Sequence, residues 1–391
     1  MGNTILILFV YLRITCNFKM TNEQRFNSVF FKIPKVRIAD DFFLHQKEII
    51  EIFLFELESF DGRLKEKLQT IKPNIEKLSN AILNSIETFL NGDTIGAYKI
   101  FEEGLEQIKK YLLIKEGVTN ISSIKEPEQF YRARIGSDVL FTREEMFHIP
   151  FEKRHLVSSQ RYSLPGIPCL YLANSTYLCW EELGKPYFDK VQFSRYDLKD
   201  CKLKFLNLNH TSQALSFFGF EKDGDIDEMA AFLIIQFIAT WPLQAAVSNV
   251  VFLGESPFKP EYIIPQLLLQ WIVNHKELDG VRFFSTKYNG KIPVLHFGNF
   301  SNLVIPIKKS KDKGFCEELK ASIKLTNPIS YMYSSLLLPQ MTSEKIAVEE
   351  MEISMRPITV EVNEDLKAPY QNTKFGQIER ILESIQPKTI E

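Results

Sequence analysis

The spacing of apolar residues changes part-way along the chain, and this change limits the folds that are open to it. Between residues 41 and 113, apolar residues recur in steps of three and four, as on one face of an amphipathic helix. A turn-forming Asn91-Gly92-Asp93 separates two such stripes. From Phe130 onward, short runs of β-branched and aromatic residues bounded by turn formers take over. The sequence therefore predicts a helical unit followed by a mixed α/β unit.

The bounds of the predicted elements follow from these patterns. Helices are expected at residues 49–57, 74–90 and 100–112, with a break at Lys72-Pro73-Asn74 before the second. Beyond them, strands are expected at 130–135, 169–172, 203–208, 250–253, 281–284 and 302–305, and helices at 176–183, 227–240, 264–275 and 375–385. The irregular order of these elements, and the absence of a GxGxxG or P-loop motif from the sequence, argue against a doubly wound dinucleotide-binding sheet.

These residue patterns divide the chain into four parts. Residues 1–40 form an N-terminal extension, 41–116 a helical domain, 129–308 the α/β domain and 309–391 a C-terminal extension with a charged, solvated surface. The apolar run at 5–12 is too short to span a bilayer, so we favour Met20 as the start of translation over a short membrane anchor. We interpret the helical domain as a packing or homo-oligomerisation unit, since no paired carboxylates or histidines line one of its faces.

Charge and cysteine content exclude several classes of function. The 47 Lys and Arg residues are balanced by 49 Asp and Glu residues, so the sequence lacks the basic excess that nucleic-acid binding needs. The five cysteines are odd in number and show no CxxC or Cys/His pair at metal-ligand spacing. We therefore expect a cytoplasmic protein with no nucleic-acid partner, no membrane anchor and no bound metal.

The segment with the most chemical information runs from residue 146 to residue 183. A Pro-Gly turn precedes a buried strand, and Ser175 is suited to cap the helix that carries Glu181 and Glu182. We expect this turn, strand and helix to present Tyr171, the first amides of the helix and one of the two carboxylates to a common cleft.

Blocks on either side of this segment carry a resemblance to a known family. Upstream lies Phe130-Tyr131-Arg132-Ala133-Arg134, and downstream lie Tyr262-Ile263-Ile264-Pro265-Gln266 and Asp279-Gly280-Val281-Arg282-Phe283-Phe284-Ser285-Thr286. In this order, the blocks resemble the RES domain, a family named for its arginine, glutamate and serine. The resemblance covers residues 130–307, nearly half of the chain.

The resemblance implies an α/β (α+β) fold akin to the ADP-ribosyltransferase core. It also implies a bacterial, toxin-type enzyme that cleaves the nicotinamide glycosidic bond of NAD, as a glycohydrolase or a phosphorylase. NAD would be the substrate, no metal would be required, and the partner would be an antitoxin or a protein acceptor.

The family signature also assigns residues by position. Catalysis falls to Arg132, Glu182 and Ser285, with Glu181 as the alternative carboxylate. NAD binding falls to Arg161, Tyr162 and Tyr171.

The residue types suit this chemistry independently of the family. Departure of nicotinamide leaves an oxocarbenium-like ribose, which a carboxylate such as Glu182 stabilises. Planar guanidinium groups bind pyrophosphate oxygens bidentately, as Arg132 and Arg161 would. An aromatic ring such as Tyr162 or Tyr171 stacks on nicotinamide or adenine, and a serine hydroxyl holds ribose or phosphate.

The sequence leaves two other functions open. A mono-ADP-ribosyltransferase acting on a protein would use the same cleft, because it differs only in the nucleophile that enters. A non-catalytic nucleotide-sensing protein of the same fold is the second alternative, although the joint presence of arginine, glutamate and serine speaks against it. We interpret His148 and His155 as structural histidines, and Trp180, Trp241 and Trp271 as core residues.

Overall fold

In a computed structural model, the chain is divided into two compact units. The structure describes residues 20–28, 30–37, 40–113, 121–122, 129–137, 139–199, 201–210, 228–287, 300–333, 359–363 and 366–390, together with Ser212 and Leu215. The first unit comprises Met1–Ile121 and Leu206–Trp271, and the second comprises Ser122–Phe205 and Ile272–Glu391. The apolar run predicted at 5–12 lies outside the described residues, so the preference for Met20 as the start remains a prediction.

Helices and strands alternate irregularly along the chain. The helices are α1 (Asn22–Phe26), α2 (Phe42–Leu57), α3 (Gly62–Leu90), α4 (Thr94–Leu112), α5 (Thr176–Glu182), α6 (Glu228–Val247), α7 (Ile263–Asn274), α8 (Glu317–Ser322) and α9 (Lys374–Ser384). The strands are β1 (Ile121–Ser122), β2 (Phe130–Ile135), β3 (Cys169–Ala173), β4 (Val191–Asp197), β5 (Phe205–Leu208), β6 (Gly280–Phe284), β7 (Ser301–Pro306), β8 (Lys324–Leu325), β9 (Ile329–Ser330), β10 (Thr359–Asn363) and β11 (Leu366–Pro369). This mixture, which begins with helices, agrees with the predicted α+β class.

The first unit is built around helices α3 and α4, which pack against each other. Ile75, Leu78 and Ile82 of α3 are fully buried, and they belong to the apolar stripe that the sequence predicts. A Cβ at Gly104 would lie 2.4 Å from the Cβ of Ala81, so glycine permits the close approach of the two helices. Helix α6 also packs against α3 and is apolar around its circumference, as expected of a helix buried on all sides.

The break predicted at Lys72-Pro73-Asn74 is wrong, because α3 continues through Pro73. A proline inside a helix removes one backbone hydrogen bond and crowds the preceding turn. However, Leu68, Ile71 and Ile75 continue one buried stripe across this position, and its burial outweighs the lost bond. The amide of Asn74 also donates to the main-chain oxygen of Gln107 on α4, at 2.8 Å.

An antiparallel sheet organises the second unit, with strands in the order β6-β7-β3-β2-β4-β8 and β9 also paired to β4. One apolar cluster includes Phe130, Leu172 and Leu303. A separate cluster includes Tyr131 and Ala173 together with buried residues of α5 and α9. Successive residues of β2 thus enter different clusters, as the alternation of side chains along a strand requires.

Four strands of the second unit, β2, β3, β6 and β7, were predicted, whereas β4, β8, β9, β10 and β11 were not. Strand β2 has the predicted bounds. In the first unit, the described residues 250–253 do not form the predicted strand. The amide of Val250 donates instead to the oxygen of Lys35 at 2.7 Å, and the amide of Phe252 donates to the carboxylate of Glu261 at 3.1 Å. Strand β4 was not predicted, because its alternating polar residues resemble the loops around it.

The division of the chain differs from the predicted domains. Residues 206–271, predicted in the α/β domain, cluster with the helical unit, because α6 packs against α3 and α4. The described part of the predicted C-terminal extension belongs to the second unit. Helix α9, which was predicted to dock back, packs against α5 and β4, and Ile390 joins an apolar cluster of the sheet.

Within the described residues, every helix falls short of the length or the apolar character that crossing a membrane requires.

Candidate active site

Helix α5 follows strand β3 directly and ends at Glu182. Ser175 caps the helix as predicted, since its hydroxyl accepts a hydrogen bond from the amide of Leu178 at 3.1 Å. Gly184 has a positive φ of 81°, a conformation typical of the residue that ends a helix. These two positions limit α5 to seven residues and place Glu182 in its last turn.

Two donors from distant parts of the chain hold the carboxylate of Glu182. The hydroxyl of Ser285 donates to Oε1 at 2.7 Å, and the side-chain amide of Asn302 donates to the same oxygen at 2.6 Å. Ser285 is fully buried and Asn302 is 6% exposed, whereas the Glu182 side chain is 32% exposed. Among the described residues, no group donates a hydrogen bond to Oε2. One oxygen is thus fixed from inside the protein, and the carboxylate remains partly open to solvent.

Lys287 places a positive charge beside this carboxylate. Its Nζ donates to the main-chain oxygen of Glu182 at 2.5 Å and lies 4.0 Å from Oε2. Its own amide donates to the Ser285 hydroxyl at 3.3 Å. The lysine side chain is half exposed, so its charge is available to an anionic group that approaches Glu182.

The neighbouring carboxylate, Glu181, has different contacts. It is 3% exposed, accepts a hydrogen bond from the Tyr177 hydroxyl at 2.5 Å, and lies 3.1 Å from Nζ of Lys185. Consecutive residues on a helix point about 100° apart, which explains why the two carboxylates meet different partners. Of the two, Glu182 is the one that contacts Ser285.

The sheet register defines the face on which this site lies. Tyr131 is opposite Ala173, Ala173 is opposite Asn302, and Asn302 is opposite Phe283. Residues directly opposite each other in antiparallel strands project to the same face. We call this the Glu182 face, because Asn302 contacts Glu182 from it.

Arg161 and Tyr171 connect a turn to the Glu182 face. The buried guanidinium of Arg161 donates to the hydroxyl of Thr286 at 2.8 Å, next in sequence to Ser285. The hydroxyl of Tyr171 lies 2.7 Å from the hydroxyl of Ser163 and accepts a hydrogen bond from the Tyr162 amide at 3.2 Å. Tyr171 is opposite Val304 in the sheet, so it lies on the Glu182 face and secures the turn that carries Arg161.

Tyr162 lies in the protein interior. It is fully buried, and its ring centre is 4.5 Å from that of Phe283. Burial raises the pKa of its hydroxyl, which has no hydrogen-bond partner among the described residues. The prediction that this ring stacks on a ligand does not agree with this arrangement, because the ring is buried and packs against Phe283.

Arg132 lies on the opposite face of the sheet from Glu182. It is adjacent to Tyr131 in β2 and directly opposite Ser194 of β4, so strand alternation directs it away from the Glu182 face. Its Nη1 is buried without a hydrogen-bond partner among the described residues. Burial lowers the pKa of its guanidinium, and nearby Arg134 acts in the same direction. The expected meeting of Arg132 with Glu182 and Ser285 is therefore not found.

The first amides of α5 are also engaged within the protein. The amide of Thr176 donates to the carboxylate of Glu379 at 2.7 Å, and the amide of Leu178 donates to Ser175. These two donors are not presented to a cleft as predicted, because the C-terminal helix α9 covers this end of α5.

The two histidines considered as bases have different surroundings. Burial lowers the pKa of His148 to about 4. Its Nδ1 is hydrogen bonded to the oxygen of Ile149 at 2.8 Å, and its Nε2 accepts from the amide of Cys316 at 3.0 Å. These contacts are those of a neutral structural histidine, as interpreted from the sequence. His155 is exposed.

Besides Lys287, sequence reasoning missed Asn302 as a residue of the site. It lies at the start of the run predicted as strand 302–305, whose other members are apolar. A buried amide in such a strand needs a hydrogen-bond partner, and this was the available signal.

Among the described residues, no three His, Cys, Asp or Glu side chains are grouped closely enough to hold a metal ion.

Comparisons with known proteins identify a relative that spans most of the chain. It is named "Putative toxin YopC", from Bacillus subtilis (strain 168), and is 31% identical over 352 residues, which cover 88% of this chain and 76% of the relative. The chain belongs to the YopC family. Because this alignment is longer than either structural unit, the similarity to YopC extends over parts of both. No protein-family model and no solved structure matches the chain.

Proposed function

We propose that this protein is a toxin-type, NAD-consuming enzyme that cleaves the bond between nicotinamide and ribose, with an RES-type domain at residues 129–308. The observation that supports this most directly is the Glu182 carboxylate, held at one oxygen by Ser285 and Asn302 and partly exposed. The RES resemblance selected Glu182 and Ser285 from positions 103 residues apart, and the two side chains are hydrogen bonded. The name of the YopC relative agrees with a toxin-type role.

The reaction needs one negative charge at the ribose. The C1′–N bond breaks, nicotinamide leaves as a neutral molecule with the bonding electrons, and positive charge develops on the ribose ring. Glu182, oriented through Oε1, would stabilise this charge and accept hydrogen bonds from ribose hydroxyls at Oε2. Because Ser285 and Asn302 fix the carboxylate in advance, little reorganisation is needed when the charge develops. An oxygen of water or phosphate then forms a bond to C1′, and the proton of that oxygen passes to solvent at the partly exposed site.

Binding of the pyrophosphate would fall to Arg161 and Lys287. Arg161 reaches the residue next to Ser285, and Lys287 is half exposed beside Glu182. A guanidinium and an ammonium near one carboxylate suit a substrate that carries two phosphate charges close to its ribose. We assign Arg132 no contact with NAD, since it projects from the opposite face. Its part in the RES signature is then structural.

The test is direct. The full chain is incubated with NAD, with and without inorganic phosphate, and the release of nicotinamide is followed with the ribosyl product. ADP-ribose would identify hydrolysis, a phosphorylated ADP-ribose would identify phosphorolysis, and label transferred from NAD to protein would identify a mono-ADP-ribosyltransferase. No nicotinamide release under any of these conditions would refute the proposal and leave a non-catalytic nucleotide-binding protein.

A further inference from the structure

The C-terminal helix α9 reaches the first residue of the helix that carries Glu182. Glu379 of α9 is fully buried. Its Oε1 accepts hydrogen bonds from the amide of Thr176 at 2.7 Å, from the hydroxyl of Thr176 at 3.0 Å and from the hydroxyl of Tyr370 at 2.5 Å. A buried carboxylate is costly unless it accepts hydrogen bonds, so the three bonds to Oε1 favour this arrangement over separation of the two helices.

Aromatic contacts extend this attachment along α5. The ring of Phe375 on α9 lies 5.2 Å from that of Tyr177 and 5.5 Å from that of Trp180. Tyr177 and Trp180 lie between Thr176 and Glu182 on the same helix. Helix α9 therefore holds α5 at its first residue and along its length.

The shortness of α5 connects this attachment to the carboxylate. The helix has seven residues, about two turns, so a rotation or shift at Thr176 displaces Glu182 by a similar amount. Glu182 meets Ser285 and Asn302 only if the last turn of α5 is correctly placed over the sheet. Tyr370 contributes as a neutral donor, because burial and the adjacent Glu379 raise the pKa of its hydroxyl well above the usual value.

We propose that Glu379 is a positioning residue for Glu182, so that the C-terminal helix is a working part of the site in the sheet unit. It acts on the helix that carries Glu182 and touches neither substrate nor reacting atoms. The catalytic readout of this inference rests on the proposed function, whereas the hydrogen-exchange readout does not.

The experiment compares three variants of the full chain. Glu379→Ala removes the acceptor of Thr176. Glu379→Gln keeps an acceptor oxygen at the same place. Thr373→Ala is the matched control, because Thr373 caps α9 through the amide of Gly376 and its loss weakens α9 without removing Glu379.

Kinetic constants for nicotinamide release are measured at a temperature where all variants are folded. We expect Glu379→Ala to lower kcat by about tenfold or more with KM changed by less than about threefold, because displacement of a reacting group reduces the rate more than binding. Glu379→Gln should recover most of this loss. Thr373→Ala should keep the wild-type kcat even if its melting temperature falls as far as that of Glu379→Ala. Equal kcat values for Glu379→Ala and Thr373→Ala would overturn the proposal.

Hydrogen exchange of the α5 amides provides a readout independent of NAD. Glu379→Ala should exchange these amides at least about tenfold faster than the wild type, and Glu379→Gln and Thr373→Ala should not. Unchanged exchange in Glu379→Ala would overturn the proposal even if NAD cleavage is observed. If the wild type releases no nicotinamide, the proposed function fails and the exchange result alone decides on the attachment of α5. If Glu379→Ala does not fold, Tyr370→Phe, which removes one donor to the same oxygen, replaces it in both measurements.

Discussion

The hydroxyl of Ser285 lies 2.7 Å from Oε1 of Glu182, and it reaches this oxygen across 103 residues of sequence. Asn302 donates to the same oxygen, so two buried groups determine the orientation of a partly exposed carboxylate. A carboxylate held in this way from the interior and left accessible on its other side has the arrangement expected of a group that meets a ligand.

The two adjacent carboxylates of α5 provide a matched pair of substitutions. Glu182→Gln removes the negative charge proposed to face the ribose, and we expect nicotinamide release to fall by about a hundredfold or more. Glu181→Gln alters a carboxylate bound to Tyr177 and Lys185, and its activity should stay within about threefold of the wild type. The measurement is kcat/KM for both variants with matched melting curves. Equal effects of the two substitutions would remove Glu182 from the mechanism.

Asn302→Asp should make the activity depend on pH in a defined direction. The new carboxyl would lie where Nδ2 now donates to Glu182, and two carboxylates at this distance favour sharing a proton, which raises the pKa of the pair. At high pH both are charged and repel each other. As the pH falls, the pair takes up a proton and a donor to Glu182 is restored.

We therefore expect the activity of Asn302→Asp, divided by that of the wild type, to rise from pH about 8 to pH about 5. Asn302→Ala is the control, since it leaves no titratable group and its ratio to the wild type should stay constant. Parallel ratios for the two variants would contradict a direct contact between residue 302 and Glu182 in solution.

Arg161 should contribute to NAD binding more than to the chemical step. Arg161→Lys keeps a positive charge but loses the planar group that donates to Thr286, so we expect KM for NAD to rise by about tenfold with kcat little changed. Arg154→Lys is the control, because Arg154 is an exposed arginine of the same unit. A KM for Arg161→Lys that equals that of the control would exclude Arg161 from the NAD site.

Arg132 should behave as a structural residue with an unfavourable charge. Its Nη1 is buried without a partner among the described residues, so Arg132→Met should fold with a melting temperature equal to or above that of the wild type. Arg134→Met should lower the melting temperature, because Arg134 donates to the oxygen of Glu145 and packs over the ring of Phe141. If Arg132→Met instead raises KM for NAD as strongly as Arg161→Lys does, the assignment of a structural role to Arg132 is wrong.

His148 should destabilise the protein as the pH falls. Burial lowers its pKa in the folded state from 6.5 to about 4, so between these values the unfolded chain binds a proton that the folded protein does not. The stabilising effect of neutral His148 is complete above pH 6.5 and is lost progressively towards pH 4. From pH about 7 to pH about 5, the wild type should lose about 2 kcal/mol of unfolding free energy through this group.

Urea unfolding at the two pH values tests this prediction. His148→Gln should lack that part of the pH dependence, and His155→Gln, at an exposed histidine, should retain it. The same pH dependence in His148→Gln and the wild type would show that His148 is accessible to protons in the folded state.

The longer helices and the strands β2, β3, β5, β6 and β7 could be predicted because their signals are local. Alternating or periodic apolar residues determine β2, α4 and α9 over a few turns or pairs of residues. The continuation of α3 through Pro73 could not be predicted from the local sequence. The free energy that outweighs the hydrogen bond lost at Pro73 comes from packing of α3 against other helices. Similarly, residues 206–271 join the helical unit through contacts that no single stretch of sequence contains.

The candidate site shows the same limit. The RES resemblance assigned Glu182, Ser285 and Arg132 to one site, and the structure places only Glu182 and Ser285 in contact. The alternation of β2 was readable, but which of its faces meets Glu182 depends on the register of Tyr131 with Ala173 and of Ala173 with Asn302. Glu379 left no signal, since a single glutamate in an amphipathic helix usually faces solvent.

The contact between Thr176 and Glu379 spans 203 residues. During synthesis, Glu182 and Ser285 therefore emerge from the ribosome well before the helix that supports them. In a nascent chain that contains the sheet strands but not yet α9, helix α5 lacks its contact with Glu379. Under the proposed role of Glu379, the order of translation delays completion of the site until α9 is made.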